Sequence, residues 1–251
     1  MKKRVLGPIF FMLLSANAQA IVSMESLHFG DENPGFLGSS SLSIDVARGN
    51  AERMRAKGGL TLQWNRSRSI YYSSISAAYG ESKNVRDQNE WFMHGRRIGN
   101  ISDMLAWEVF AQLEREEFAR LNLRTLGGSG VRIQLGQKRP QQAFFLGVGA
   151  FYSHELINDT TKTVAQEVKG NIYLLFKRSL SNHASFVNTL YWQPNATSLS
   201  DYRLLETATL SAKILERLAL KISLELRQDS RPPATVKQTD MKLLTGIEFN
   251  F

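Results

Sequence analysis

Between Arg217 and Arg227 the chain alternates without a break: Leu218, Leu220, Ile222, Leu224 and Leu226 take the even positions, Arg217, Ala219, Lys221, Ser223, Glu225 and Arg227 the odd ones. Side chains of a strand point to its two faces in turn, so one face here is aliphatic and the other mostly charged. On a helix the same five aliphatics would spread around the whole cylinder. The C-terminus repeats the pattern, with Met241, Leu243, Thr245, Ile247, Phe249 and Phe251 opposing Lys242, Leu244, Gly246, Glu248 and Asn250. A third instance sets Met54, Ala56, Leu60, Leu62 and Trp64 against Arg53, Arg55, Lys57, Thr61 and Gln63.

Turn residues divide the chain into about twelve such segments, near 36–47, 52–64, 69–80, 88–97, 104–114, 119–135, 142–154, 165–178, 184–193, 201–213, 216–227 and 239–251. A helix competes only over Asp103–Glu117, where Leu105, Trp107, Val109 and Ala111 still alternate. Most segments reach ten residues, against ~5–6 for a globular strand and ~9–11 for one that crosses a membrane. Pro34, Pro140, Pro194, Pro232 and Pro233 fall between segments, as strand ladders require. The connections near 65–68, 98–103, 136–141, 179–183 and 214–215 are expected to be short. Those near 81–87, 155–164, 194–200 and 228–238 are expected to be longer and polar, while 48–51 and 115–118 are short. The expected fold is all-β, a transmembrane antiparallel up-and-down barrel of about 12 strands over 36–251, which has short turns on the periplasmic side and longer loops outside. Trp64, Trp91, Trp107, Tyr71, Tyr79, Phe249 and Phe251 fall on the proposed lipid-facing side, where amphipathic rings favour the two boundaries.

The start of the chain places it in a compartment. Lys2, Lys3 and Arg4 precede an apolar stretch from Val5 to Leu14 and an A-x-A site at Ala18-Gln19-Ala20, a cleavable secretory signal over residues 1–20. The apolar stretch contains Pro8 and is half the ~20 residues a spanning helix needs. Cleavage lowers the formal net charge from +8 to +5. Residues 21–35 are then a periplasmic N-terminal segment, and the expected location is the cell outer membrane, with outer-membrane lipids as partners. Zero cysteines exclude a disulfide scaffold, an iron–sulfur centre, a thiolate zinc site and a cysteine nucleophile, and the four scattered histidines form no metal pair. No metal and no cofactor is expected.

If the parity holds, the lumen carries Arg53, Arg55, Lys57, Arg96, Arg120, Arg124, Arg132, Lys169, Lys177, Arg217, Lys221, Arg227 and Lys242 against Asp45, Glu90, Glu108, Glu114, Glu167, Glu225 and Glu248. Thirteen cations facing seven acids suggest a narrow passage that prefers anions, since Arg and Lys rings select for them. The competing expectation is a lumen plugged by Arg–Glu ladders. The lipid-facing set is Leu218, Leu220, Ile222, Leu224, Leu226, Met241, Leu243, Ile247, Phe249 and Phe251.

Two other functions compete. A lipid hydrolase would use His183 and Ser185, which share a face near Asn188; Ser153-His154 is adjacent, so those two side chains point to opposite faces. Such catalysis needs the base within ~3 Å of the nucleophile, an orienting group and an oxyanion site. A soluble periplasmic lipid-binding barrel would bury its apolar face inside ~8 strands. Nucleic-acid binding does not fit positive charge spread around a lumen inside an apolar sheath. Gly127, Gly128 and Gly130 lack the Lys-Ser/Thr ending of a phosphate loop and read as a kink, a bulge or close backbone approach.

The terminal Phe251 behind Phe249 and Ile247 resembles the end signature of bacterial outer-membrane barrels, which implies recognition by the barrel-assembly machinery. Gly49-Asn50, Arg124 with Gly127-Gly128-Ser129-Gly130, Asp201-Tyr202-Arg203-Leu204, Asp229-Ser230-Arg231-Pro232-Pro233 and Lys237-Gln238-Thr239-Asp240 extend the likeness. On these the chain resembles the YdiY-like salt-stress-induced outer-membrane protein family from about residue 36 to the end. The family pattern tends to place an aromatic where this chain has Val131-Arg132. The resemblance implies fold and location and no reaction. The expected function is a porin-like channel or a structural envelope component, not an enzyme.

Overall fold

The computed structural model of the protein describes residues 34–48, 52–136, 139, 141–233 and 235–251. The expected leader, residues 21–33 of the N-terminal segment, Gly49-Asn50 and Pro140 lie outside the described residues. Twelve strands follow in order: β1 (Gly35–Ala47), β2 (Arg53–Arg66), β3 (Ser69–Ser82), β4 (Val85–Asn100), β5 (Leu105–Glu116), β6 (Leu121–Gln134), β7 (Gln142–Ile157), β8 (Val164–Ser179), β9 (Ala184–Asn195), β10 (Ser198–Lys213), β11 (Leu218–Asp229) and β12 (Thr239–Asn250). Each pairs antiparallel with the next, and β12 returns to β1 to close the barrel. An even number of strands puts the start of β1 and the end of β12 at one rim, here the terminal rim; the opposite one is the loop rim.

Sequence alternation accounts for the strands directly. In β5, Leu105, Trp107, Val109, Ala111 and Leu113 point outward while Ala106, Glu108, Phe110, Gln112 and Glu114 point inward, so the helical alternative is absent there. In β11, Leu220, Ile222 and Leu224 are exposed on the outer wall and Ser223 and Glu225 are buried inside. A helix would scatter these residues; a strand gathers them onto one face.

Three expectations change. β4, β7 and β10 run several residues past their expected ends, so the connections expected to be long at 81–87 and 194–200 shrink to 83–84 and 196–197. The strand ends beyond the apolar band are polar on both faces, which hides their period. The first of these turns has Lys83 and Asn84 both left-handed, with φ of 50° and 60°, the geometry of the two-residue I′ hairpin that matches the twist of paired strands. Pro194 lies inside β9, opposite Tyr202 at a register shift between Ser198 and Tyr202, a place where a missing N–H breaks no regular ladder. The glycines of β6 form no bulge: its register with β7 is continuous from Leu123 to Gln134. They allow close approach instead, because a Cβ on Gly128 would stand 2.6 Å from Phe110 Cζ.

The closing seam differs from the other pairings. The β1–β12 register runs only from Ser39 opposite Asn250 to Leu42 opposite Ile247. Gly38 and Phe251 extend it at the terminal rim by reciprocal backbone bonds of 2.8 and 2.9 Å. Toward the loop rim the ladder stops, and Ser43 Oγ donates to the Thr245 carbonyl at 2.7 Å in its place.

Candidate functional site: the barrel lumen

The inner wall divides into a crowded half and an open half. On the crowded half, Gly147 of β7 leaves no room for even a methyl group, because the ring of Tyr173 from β8 lies across it. Tyr173 is 2% exposed and packs with Leu175, Val187, Phe145 and Tyr191. Its hydroxyl accepts from Arg132 Nε at 2.8 Å and donates to Glu108 Oε2 at 2.7 Å, so one phenol ties β6 to β5. Arg96 reaches from β4 to the hydroxyl of Tyr191 on β9 at 3.3 Å, and its guanidinium stands 5.7 Å from the Phe110 and Tyr173 ring centres. This layer, nearer the terminal rim, is an aromatic and guanidinium plug. The expected lumen set names only charged residues and leaves out the apolar part of the wall, Phe92, Phe110, Phe151, Tyr173, Leu175 and Val187. Aromatics on the wall of a 12-stranded barrel can reach one another across one side of the lumen, while hydrogen-bonded Arg groups cover their edges.

Nearer the loop rim a chain of carboxylates and guanidinium groups links five strands. Glu155 of β7 accepts from Arg124 Nε at 2.9 Å and from Arg203 of β10 at 2.8 and 3.1 Å. Arg124 also pairs with Glu114, and Arg203 with Asp229 at 2.9 Å. Arg227 approaches Glu116 on the diametrically opposite strand to 3.9 Å, and Lys242 of β12 reaches Glu90 of β4 at 3.4 Å.

The open half is built from small hydroxylated residues. Ser39, Ser41, Ser43, Gly59, Thr61, Ser76 and Ser223 line a cavity with a water-accessible volume of about 80 Å³, enough for several water molecules. Lys57 and Lys221 border it, paired with Glu225 at 3.5 Å and Glu248 at 2.8 Å.

Of the remaining candidate residues, Lys169 is buried beside Glu167 at 2.9 Å, Arg53 pairs with Asp45 at 2.8 Å, Arg55 pairs with Asp87 at 2.5 Å, and Lys177 follows the inward parity of β8. Arg120 and Arg217 are not strand residues: Arg120 is a left-handed residue in the 117–120 connection and Arg217 is exposed in the 214–217 turn. The alternation reaches both only when it is extended one step past the real strand ends, which is why the lumen set includes them. The inner wall also carries six acids outside the expected set, Asp87, Glu116, Glu155, Asp201, Asp229 and Asp240, along with the cation Arg203. They bring the inner wall close to neutrality, in place of the expected strong positive excess. Glu155 and Asp229 lie just outside the expected segments, and a longer strand estimate would have found them.

On the outer wall, Leu220, Ile222, Leu224, Met241, Leu243, Ile247, Phe249 and Phe251 are exposed, and Leu218 and Leu226 are half-buried on the same face. A polar pair interrupts this wall at mid-strand. Asn188 of β9 donates to Glu206 of β10 at 3.0 Å, mid-strand and flanked by Leu190 and Leu226. Near the terminal rim, Arg66 stacks on Trp64 at 4.9 Å, Trp64 meets Tyr71 at 5.6 Å, and Arg97 lies 5.4 Å from Tyr71 and 4.9 Å from Trp107.

His183 is exposed in the 180–183 turn, where its backbone N–H bonds to Ser181 Oγ at 3.1 Å. Among the described residues no hydrogen bond joins it to Ser185. Ser153 points inward to the Glu167 carbonyl while His154 meets Gln166, so these neighbours diverge as their parity demands.

The 158–163 connection carries its own titration. The Thr163 hydroxyl donates to the Asp159 carboxylate at 2.6 Å and the Thr163 N–H at 2.9 Å. These bonds, with that of Thr161, hold the Asp159 carboxyl at about 2 against an ordinary 3.8. A depressed folded value means the carboxylate orders this loop fully above 3.8 and loses that hold as pH falls toward 2. Carboxyl NMR of Asp159 is expected to give a midpoint near 2; a midpoint at the ordinary value removes the anchored loop.

A family model of DUF481, a protein of unknown function, matches residues 40–251. The chain belongs to the DUF481 family. Among curated proteins none matches the sequence. The DUF481 barrel superposes on the NanC porin with a TM-score of 0.55 at 6% identity, covering 85% of this chain and 98% of that one. It superposes on the COG4313 outer membrane channel from Pseudomonas putida F1 with a TM-score of 0.55 at 13% identity, covering 93% of this chain and 100% of that one. At such identities the likeness carries the fold, an outer-membrane type of β-barrel, and the solutes of those proteins do not transfer with it.

Proposed function

We propose that this DUF481 protein is a YdiY-like barrel of the bacterial outer membrane that passes small polar solutes along the open half of its lumen. The observation that carries this reading is the wall of serine, threonine and glycine beside a packed aromatic half, because small hydroxylated side chains leave space and still replace water. An apolar exterior with an inward polar period supports the membrane location. Lys57, Lys221 and Lys242 border or approach the passage, each with an acid partner, so the preference for anions is weak. NanC is a porin, which agrees with a passage of this kind. The pairs Arg227–Glu116 and Lys242–Glu90 favour a second reading, a structural envelope barrel closed by crossbars.

Planar-bilayer recording separates the two. The expected result is a small current whose reversal potential in a KCl gradient leans toward chloride. Glu225→Gln frees Lys57 and moves that potential several-fold further toward chloride, because an unpaired ammonium in a confined, poorly screened passage attracts anions. Cation preference in the wild type overturns the proposed selectivity, and a folded barrel without current selects the structural reading.

A further inference from the structure

From Ser43 to Ala47, β1 remains paired with β2 on one side but has left the β12 ladder on the other. In a water-filled surround such an edge is harmless. In hydrocarbon each unpaired backbone group costs free energy, and closed barrels exist to avoid that cost. The flanks are apolar and outward, as a stretch in hydrocarbon requires: Ile44 and Val46 on β1 are 61% and 55% exposed, Met241 and Leu243 on β12 61% and 70%. Directly behind the split is the hydroxyl-lined cavity. Its lining includes Leu42 and Ile247 from the outward face of the seam as well as Ser41, Lys57, Lys221 and Leu244 from within. The cavity therefore abuts the seam from within, at the point where the ladder ends.

We infer that the split between β1 and β12 is a lateral portal through which a single-chain amphiphile from the bilayer places its hydrogen-bonding head in the cavity. The chemistry at the two ends selects that class of ligand. At the mouth, Leu42, Ile44, Leu243 and Ile247 offer only apolar contact, which suits a chain that stays in the lipid. Inside, Ser41, Ser43, Ser223 and the Lys57 and Lys221 ammonium groups offer hydrogen bonds to a head group, and the free backbone edge of β1 adds donors and acceptors. A wholly apolar solute would leave these groups unsatisfied, and a wholly polar one would have no reason to come through lipid. Gly246 keeps the passage narrow, since a Cβ there would stand 2.8 Å from the Leu42 carbonyl. The inference rests on the membrane location proposed above and is independent of axial conduction.

The test uses the absence of cysteine from the chain. Ile44→Cys with Thr245→Cys introduces a pair across the split just beyond the last registered position, which closes the portal when oxidised and reopens it when reduced. Dodecanoate is the probe, and native mass spectrometry of the detergent-solubilised full-length barrel reads its binding. The wild type is expected to hold one dodecanoate, oxidation of the double variant to weaken binding by about tenfold or more, and reduction to restore it. Ser223→Phe, which fills the cavity from the opposite side, is expected to abolish binding while the heat-modifiable gel band of the folded barrel persists. Wild-type protein that binds no dodecanoate overturns the portal, as does binding that survives oxidation or Ser223→Phe. Current across a bilayer is read separately, so failure of the channel leaves this result standing.

Discussion

Glu155→Leu is expected to lower the unfolding free energy of the barrel in lipid vesicles by about 3–5 kcal/mol, the usual cost of stranding buried charge. One carboxylate serves two guanidinium groups here. Arg124 and Arg203 come from β6 and β10, and both are largely enclosed by the wall. Leucine fills most of the volume but accepts nothing, and Glu114 and Asp229 are left to hold the two arginines separately. Their like charges then repel with no anion between them. Removing the five charges of the chain together, by Glu114→Gln, Arg124→Met, Arg203→Met and Asp229→Asn alongside Glu155→Leu, is expected to recover much of the loss, because a buried network is costly chiefly when it is broken. Equilibrium unfolding in urea checks both. A loss under 1 kcal/mol for Glu155→Leu would mean that water hydrates the pair freely.

The second large effect is on permeation. Tyr173→Ala is expected to raise single-channel conductance several-fold and to cost about 3 kcal/mol or more of stability, in the range for truncating a buried aromatic. The ring fills the space over Gly147 and holds Arg132 and Glu108 in one hydrogen-bonded unit. Without it the two charged side chains are free to hydrate and swing, and the constriction nearest the terminal rim widens. Tyr173→Phe separates the contributions: the volume remains, the bridging hydroxyl goes, and the expected change is mostly in current noise. Unaltered conductance in Tyr173→Ala would place the solute path wholly along the serine wall.

A smaller effect is expected on the outer wall. Glu206→Leu combined with Asn188→Leu replaces a mid-strand polar pair by lipid-compatible side chains. It is expected to stabilise the barrel in vesicles by about 1–2 kcal/mol, since polar groups on the lipid face are unfavourable at mid-depth. The single Asn188→Leu leaves the carboxylate without its donor and should destabilise. Unfolding titrations in vesicles of one lipid composition distinguish the signs.

How far the fold was readable depends on where each residue lies along its strand. Leu218 to Leu226 sit inside the apolar band, where lipid enforces one greasy face, and their period of two is visible at a glance. Asp201, Arg203, Glu155 and Asp229 sit beyond that band, where water wets both sides of the sheet and nothing marks which way a side chain points. The same blindness shortened β4, β7 and β10 and made their hairpins look like long loops. Pro194 misled for a related reason: its place at a register shift is a property of two strands together, and no single segment encodes it. The aromatic plug was hidden differently. Phe110, Phe151 and Tyr173 share faces with Glu108, Ser153 and Lys169, so each strand alone reads as polar inside. Only the closure of the barrel brings the three rings to one side, over the hollows left by Gly128 and Gly147. The early end of the β1–β12 ladder is likewise invisible in sequence, because both strands alternate normally through it.

The stack of Arg66, Trp64, Tyr71, Arg97 and Trp107 occupies one flank of one rim, spanning β2 to β5. At the β10–β11 turn and the end of β12 the same rim carries Ile214, Leu215, Phe249 and Phe251, with Arg217 beside them. Guanidinium and indole groups favour the headgroup boundary, so in a bilayer the first flank fixes how deep this rim sits.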